Sequence, residues 1–230
     1  MKIDIWSDVA CPFCYVGKRH LEAALAKFPH AKDVEVTWHS FELNPDAQKD
    51  YTEDHYTLLA SKYGMTREQA VANSARVADA GKAVGIDFKF DDMINTNTFN
   101  AHRLIQLAAQ HGKQDEVEEL LFKAYFTEGK HIGETPTLEA IAATAGIDAT
   151  AMLQGTEFTG EVRQDEAQAQ QLGIRGVPFF VFDMKYAISG AQPVEVFDQT
   201  LEKVWSETHP QIVNPAGSGD NTCADGVCNV

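Results

Sequence analysis

The feature that most constrains this chain is a pair of cysteines, Cys11-Pro12-Phe13-Cys14, set where an apolar strand-like run gives way to a helix. Metal knuckles use the same C-x-x-C spacing, so the surroundings decide the reading. Residues 3–8 (IDIWSD) have strand character, and residues 12–28 place Leu21, Ala24, Leu25 and Phe28 on one helical face. Proline suits the first helical position, because the N–H it lacks would be unpaired there in any case. Cys11 is then the cap residue, and Cys14 lies one turn inside, three residues on and on the same face. The Cys11 sulfur meets unpaired backbone N–H groups and the positive end of the helix dipole, and both stabilise a thiolate. This is the geometry of dithiol–disulfide exchange, with Pro12 and Phe13 forming the active-site loop.

A chain of 230 residues can bury a substantial core without covalent staples. Its 19 basic against 34 acidic side chains give a formal charge of −15, which argues against nucleic acid and anionic membranes as partners. No apolar run is long enough to span a bilayer. The first residues show no leader pattern, because Asp4 and Asp8 interrupt the stretch that would have to be apolar. The expected location is the cytoplasm. Thiols are kept reduced there, so four cysteines in two close pairs read as catalytic or metal-binding rather than as staples.

A second strand is expected over residues 34–43 (VEVTWHSFEL), giving β-α-β at the start. From about Tyr51 the pattern turns helical for over a hundred residues. Val117, Leu120, Leu121, Ala124 and Tyr125 form one amphipathic stripe, and Ala101, Leu104, Ile105 and Ala108 another. A third, Leu138, Ile141, Ala142 and Ala145, follows Thr135-Pro136 as cap and first helical residue. Residues 154–172 look like a final, polar helix. Strand character returns over 177–183 and 185–189, before a last helix from about Pro193. Two strands alone do not make a stable sheet, so the two ends must pair. The expected organisation is an α/β domain in two parts, residues 1–50 and 173–208, around a helical insertion, 51–172. A turn-rich tail, 209–230, carries Cys223 and Cys228.

Gly176-Val177-Pro178-Phe179-Phe180 puts a proline at the start of an apolar strand. It either merely begins the strand or occupies a cis turn. Together with the strand–CxxC–helix unit, this segment resembles the thioredoxin superfamily, and the helical interruption resembles its DsbA-type arrangement. Ser7-Asp8 before Cys11-Pro12-Phe13-Cys14-Tyr15-Val16-Gly17, Asn100-Ala101-His102-Arg103-Leu104, residues 173–180 (GIRGVPFF) and Ser189-Gly190-Ala191-Gln192 are similar to the FrnE-like cytosolic branch. The likeness spans roughly residues 3–206. It implies a thioredoxin fold interrupted by a large all-helical insertion, with Cys11 as attacking cysteine, Cys14 as resolving cysteine and Pro178 as cis-proline. It also implies that Val177 and Pro178 align an extended substrate. Phe13 departs from the histidine of the best-known periplasmic members and offers no charge to the thiolate.

The expected activity is exchange with protein or peptide disulfides, with possible isomerase ability. Glutathione or a thioredoxin-type reductant would be a partner, and the cysteine pair itself would serve in place of a cofactor. No resident metal is expected. The nearest alternative is a glutathione-dependent isomerase or kappa-type glutathione transferase on the same fold. Those enzymes carry serine where Cys11 stands and need no second cysteine. A zinc-binding interaction protein is a third reading, with both cysteine pairs as ligands. Structural zinc, however, normally takes ligands from paired turns rather than from a cysteine capping a helix.

The tail pair stays open between a turn-closed disulfide that relays electrons to Cys11–Cys14 and two incidental thiols, since Asp225-Gly226 favours a turn between them. His102 is open between a substrate contact and a hydrogen-bonded structural histidine. Trp6 and Trp38 read as core aromatics, and the methionines form no metal-binding cluster.

Overall fold

Backbone pairing decides where each strand stops. In the computed structural model, which describes residues 1–209, β1 (Lys2–Ser7) runs parallel to β2 (Glu35–Ser40), with Trp6 opposite His39 and Ser7 opposite Ser40. Beyond Ser7 the chain leaves the sheet to form the loop before Cys11, so β2 loses its partner and ends at Ser40, not at residue 43. Phe41 N–H still reaches Ser7 O at 3.0 Å, and Leu43 N–H turns to the Asp8 carboxylate at 2.7 Å.

On the other side of β1 lies β3 (Phe179–Phe182), antiparallel, followed by β4 (Tyr186–Ser189), for a strand order β2-β1-β3-β4. The two ends of the sequence do pair with each other. β3 begins at Phe179 rather than Val177, because Pro178 has no N–H to give a ladder. Asp183 and Met184 turn the β3–β4 hairpin, both at positive φ.

Between β1 and β2 runs α1 (Pro12–Leu25), shorter than the expected span to residue 28. Pro29 disfavours helical backbone at Phe28, and the last N–H groups, of Lys27 and Phe28, fold back to Ala24 O and Leu25 O at 3.1 Å. Between β2 and β3 stand seven helices: α2 (His55–Tyr63), α3 (Arg67–Ala83), α4 (Phe99–Gln110), α5 (Gln114–Phe126), α6 (Thr135–Thr144), α7 (Thr150–Gln154) and α8 (Thr159–Gln171). α9 (Val194–Thr208) closes the described chain and packs against α1. The architecture is an α/β, DsbA-like thioredoxin fold with a mixed sheet.

Two helical expectations need correction. Glu134, not Thr135, caps α6, so Thr135 and Pro136 fill the first two helical positions, where proline's missing N–H is harmless. The polar helix expected over 154–172 starts only at Thr159. The chain breaks at Gly155 and passes Phe158 at φ 63°. Arg103 holds that break. From inside α4 its guanidinium donates to Glu157 O (2.7 Å), Gly155 O (2.8 Å) and Met152 O. Carbonyls released by a broken helix need partners when buried, and one arginine supplies three.

The apolar stripes meet in one core. Ile3 and Ile5 of β1, Phe180 and Phe182 of β3, and Phe197 and Leu201 of α9 are fully buried, with Phe180 and Phe197 edge to face at 4.9 Å. The helical block joins this core through Tyr15 of α1, which stacks on Phe122 of α5 at 4.9 Å. Trp6 and Trp38 are buried, as core aromatics should be. Among the described residues no helix is long and apolar enough to cross a membrane. The tail cysteines, Cys223 and Cys228, lie outside the described residues.

Candidate active site

The loop between β1 and α1 is held from within. The Asp8 carboxylate accepts Ala10 N–H at 3.1 Å and Leu43 N–H at 2.7 Å, while its backbone carbonyl accepts Cys11 N–H at 2.9 Å. These bonds deliver Cys11 to the N-cap of α1 with extended backbone (φ −98°, ψ 111°), and its side chain makes no cap bond. The sulfur is therefore left free for chemistry beside N–H groups that a serine or aspartate would have satisfied. Pro12 and Phe13 form the first turn, with Phe13 47 % exposed between two buried cysteines.

Cys11 and Cys14 are both thiols, 5 % and 1 % exposed. Burial pushes the Cys14 thiol well above its ordinary range, and the hydrogen bond to Cys11 pushes it further. Cys14 thus stays protonated at neutral pH. Cys11 Sγ also lies 3.6 Å from the Val177 carbonyl oxygen. The Val177–Pro178 bond is cis, and Pro178 is buried against α1, with Gly17 facing its ring. Of the two readings of Pro178, the cis turn holds. Residues 166 positions apart in sequence thus meet at one sulfur.

Beneath the cysteines lies a buried polar layer, of which sequence reasoning had singled out only His102. Ser7 Oγ donates to Glu118 Oε1 at 2.8 Å. His102 Nε2 stands 3.4 Å from Asp8 Oδ1, and Glu42 pairs with Arg163. His102 is sealed from any substrate and lies under the Cys11 loop, so it is a structural histidine, held by its ionic contact with Asp8 and not by a hydrogen bond. Burial alone would lower its pKa, but the Asp8 carboxylate, with Glu118 and Glu42, raises it above the ordinary imidazole value. The same contact, with two backbone N–H groups, outweighs burial at Asp8 and lowers its pKa.

Glu118 carried a signal in the sequence. It sits four residues before Phe122 and seven before Tyr125, so it belongs to the buried face of α5. Leu120, counted on that face, is only half-buried.

Among the described residues the one group of three metal-ligand side chains within mutual reach is Asp50, His131 and Glu134. It contains neither Cys11 nor Cys14. Gly133 N–H donates to His131 Nδ1 at 3.2 Å, which places the ring proton on Nε2, facing Asp50 at 3.0 Å. Lys49 pairs with Glu134 at 3.0 Å. Those lone pairs are already engaged.

A family model described as "DSBA-like thioredoxin domain" matches residues 2–202. The chain is 40 % identical to a solved structure described as a probable DsbA oxidoreductase, SCO1869 from Streptomyces coelicolor, with a TM-score of 0.86 over 99 % of this chain and 100 % of that one. It is 28 % identical to the uncharacterized protein YwbO of Bacillus subtilis over 86 % of this chain and 94 % of that protein. The cytosolic disulfide reductase DsbM of Pseudomonas aeruginosa superposes with a TM-score of 0.58 over 88 % of this chain and 98 % of that one, at 17 % identity. A likeness at that level shows a shared fold.

Proposed function

This chain belongs to the family of DSBA-like thioredoxin domains, an oxidoreductase family, and from that premise we propose that it exchanges disulfides with protein or peptide substrates through Cys11 and Cys14. The observation that carries the reading is the position of the Cys11 sulfur. It caps a helix without a side-chain cap bond and lies 3.6 Å from the carbonyl of the residue before Pro178.

In this scheme Cys11 thiolate attacks one sulfur of a substrate disulfide. A bond forms between Cys11 Sγ and that sulfur, and the other substrate sulfur leaves as thiolate. Helix N–H groups and the Cys14 S–H stabilise the attacking charge. Cys14 then attacks Cys11 Sγ, closing the Cys11–Cys14 disulfide and releasing the second substrate thiol. The substrate gains two electrons and the pair loses two. Glutathione or a thioredoxin-type reductant restores the dithiol, and the reverse sequence oxidises substrate dithiols. The cysteine pair is the redox carrier. Val177 is the aligning residue, since its backbone carbonyl lies 3.6 Å from Cys11 Sγ, where an extended substrate would pair. Phe13, exposed between the cysteines, is an apolar contact for the same segment. A glutathione-reduced compartment such as the cytoplasm would supply that reductant.

The test is insulin reduction beside glutathione conjugation of an electrophile. The expected outcome is insulin reduction that is lost in Cys11→Ser and Cys14→Ser, without conjugating activity. Conjugation that survives Cys14→Ser, with no insulin reduction, would instead establish the glutathione-transferase alternative.

A further inference from the structure

If Cys11 attacks disulfides as a thiolate, as proposed above, the loop that carries it must not also carry an unbalanced negative charge. Yet that loop is built around one. The Asp8 carboxylate accepts Ala10 N–H on one oxygen (3.1 Å) and Leu43 N–H on the other (2.7 Å), and the Asp8 carbonyl accepts Cys11 N–H at 2.9 Å. With backbone donors on both carboxylate oxygens, the charged form is the one the loop selects. The clamp that delivers Cys11 to the helix cap is therefore an anion, buried and three residues from the attacking cysteine. A like charge this close in a protein interior disfavours a thiolate.

His102 of α4 answers that charge. Its Nε2 stands 3.4 Å from Asp8 Oδ1 and makes no hydrogen bond, although the ring is 1 % exposed. A buried polar atom in that state costs free energy unless another interaction holds it there. An ionic contact does so. Among the described residues His102 is the one basic side chain paired with Asp8. The other acids that act on His102 are Glu118 of α5 and Glu42 beyond β2. Burial pushes Glu118 up to about 7, and Glu42 pairs with Arg163 of α8. Tyr125 of α5 is buried, and burial favours its neutral phenol. Asp8 is thus the full negative charge that His102 meets.

We propose that His102 is the counter-ion of the active-site loop, cancelling the charge with which Asp8 clamps that loop, so that the Cys11 thiolate meets a neutral pair instead of an anion. The helical insertion, through α4, thereby sets how readily Cys11 ionises. His102 touches neither substrate nor a reacting atom; it acts through Asp8 and is a positioning residue. One turn of α4 then serves two distant segments. Arg103 holds the break at residues 152–157, and His102 balances the loop before Cys11.

The experiment uses the full chain with Cys14→Ser, Cys223→Ser and Cys228→Ser, which leaves Cys11 as its one thiol. The rate of alkylation by iodoacetamide is followed against pH, and its midpoint reports thiolate formation. His102→Gln keeps a polar side chain without a charge, so Asp8 is left unbalanced. The midpoint should rise by about one pH unit, which is about tenfold less thiolate at any pH below it. Asp8→Asn loosens the clamp but removes the repelling charge, so its midpoint should lie at or below that of the parent. The double variant should return to the parent value within a few tenths of a unit, because the two charges are lost together.

A histidine with a packing role alone gives another order, in which the double variant disturbs the loop most. An unchanged midpoint in His102→Gln overturns the proposal, and so does a double variant whose midpoint is as high as that of His102→Gln. If His102→Gln does not fold, Asp8→Asn decides, since a midpoint above the parent's overturns the proposal and one at or below it supports it. These outcomes do not depend on disulfide exchange, because Cys14 is replaced throughout. A chain with both Cys11 and Cys14 that reduces no insulin fails at the exchange reading instead.

Discussion

Replacing Gly17 by alanine adds one methyl group where α1 passes the substrate-facing loop. That methyl would stand 3.0 Å from Pro178 Cγ and 3.1 Å from Phe180 Cζ. Ordinary carbon contacts begin near 3.5 Å, so α1 and the Val177–Pro178 segment must separate by roughly half an ångström. Crowding of this kind costs about 1–3 kcal/mol. Alanine in place of glycine inside a helix returns about 1 kcal/mol. The net destabilisation is therefore about 0–2 kcal/mol, a fall of at most about 8 °C in Tm at the 2–4 °C per kcal/mol of a chain this size. Activity should suffer more than stability. The displaced atoms set the distance between Cys11 Sγ and the Val177 backbone, and misplacement by about 1 Å can cost a hundredfold in rate. We expect Gly17→Ala to lose about tenfold or more in insulin-reduction kcat/KM while thermal unfolding moves by only a few degrees. A variant with full activity and a Tm raised by the helix-propensity gain alone would refute the argument that Gly17 is there for close approach.

Other outcomes can be checked independently. Cys14→Ser should accumulate one covalent substrate adduct on Cys11, visible by intact mass and peptide mapping, whereas Cys11→Ser should accumulate none at this site. Arg103→Met strands three carbonyl groups around residues 152–157, of which Met152 O is buried and the other two partly so, and it should destabilise the chain by about 1–3 kcal/mol in urea unfolding and open that segment to proteolysis. Arg103→Lys should not rescue it, because a single ammonium does not reproduce the planar fork.

His39 lies between Asp165 and Asp4, 2.7 Å from each. Burial pulls its pKa down, but the two carboxylates more than reverse this, so the folded value lies above the unfolded one. Its contribution to stability is therefore complete below the unfolded pKa of about 6.5 and disappears as pH rises through the higher folded value. Urea unfolding from about pH 5 to 9 should show that loss in the wild type, and His39→Gln should remove this part of the slope.

The frame of the fold was legible because its signals are local. Short apolar, β-branched or aromatic runs marked all four strands, and Cys11-Pro12 marked the start of α1. Strand ends were less legible, since β2 stops where β1 stops offering partners, a fact about Ser7 and Asp8 rather than about residues 41–43. The break between α7 and α8 depends on Arg103, some fifty residues earlier, and no local pattern near Gly155 reports it.

At the site, the meeting of Cys11 with Val177 was expected from the resemblance and is present in the structure. The buried layer below was not expected, because Ser7, Glu42, His102 and Glu118 come from four separate segments and only packing brings them together. His102, weighed as a structural histidine, and a carboxylate on the apolar face of α5 were its traces in the sequence.

The central claim is that Cys11 and Cys14 form a reversible two-electron couple. The most direct measurement is equilibration of the full chain in a graded series of reduced and oxidised glutathione, followed by acid quench, alkylation and mapping of the Cys11–Cys14 peptide apart from the tail. The account predicts one reversible transition in which both thiols vanish together into an intrachain disulfide, with a slope of about 30 mV per decade. Thiols that stay alkylatable across the whole series, or a Cys11–glutathione adduct that never resolves through Cys14, would contradict it.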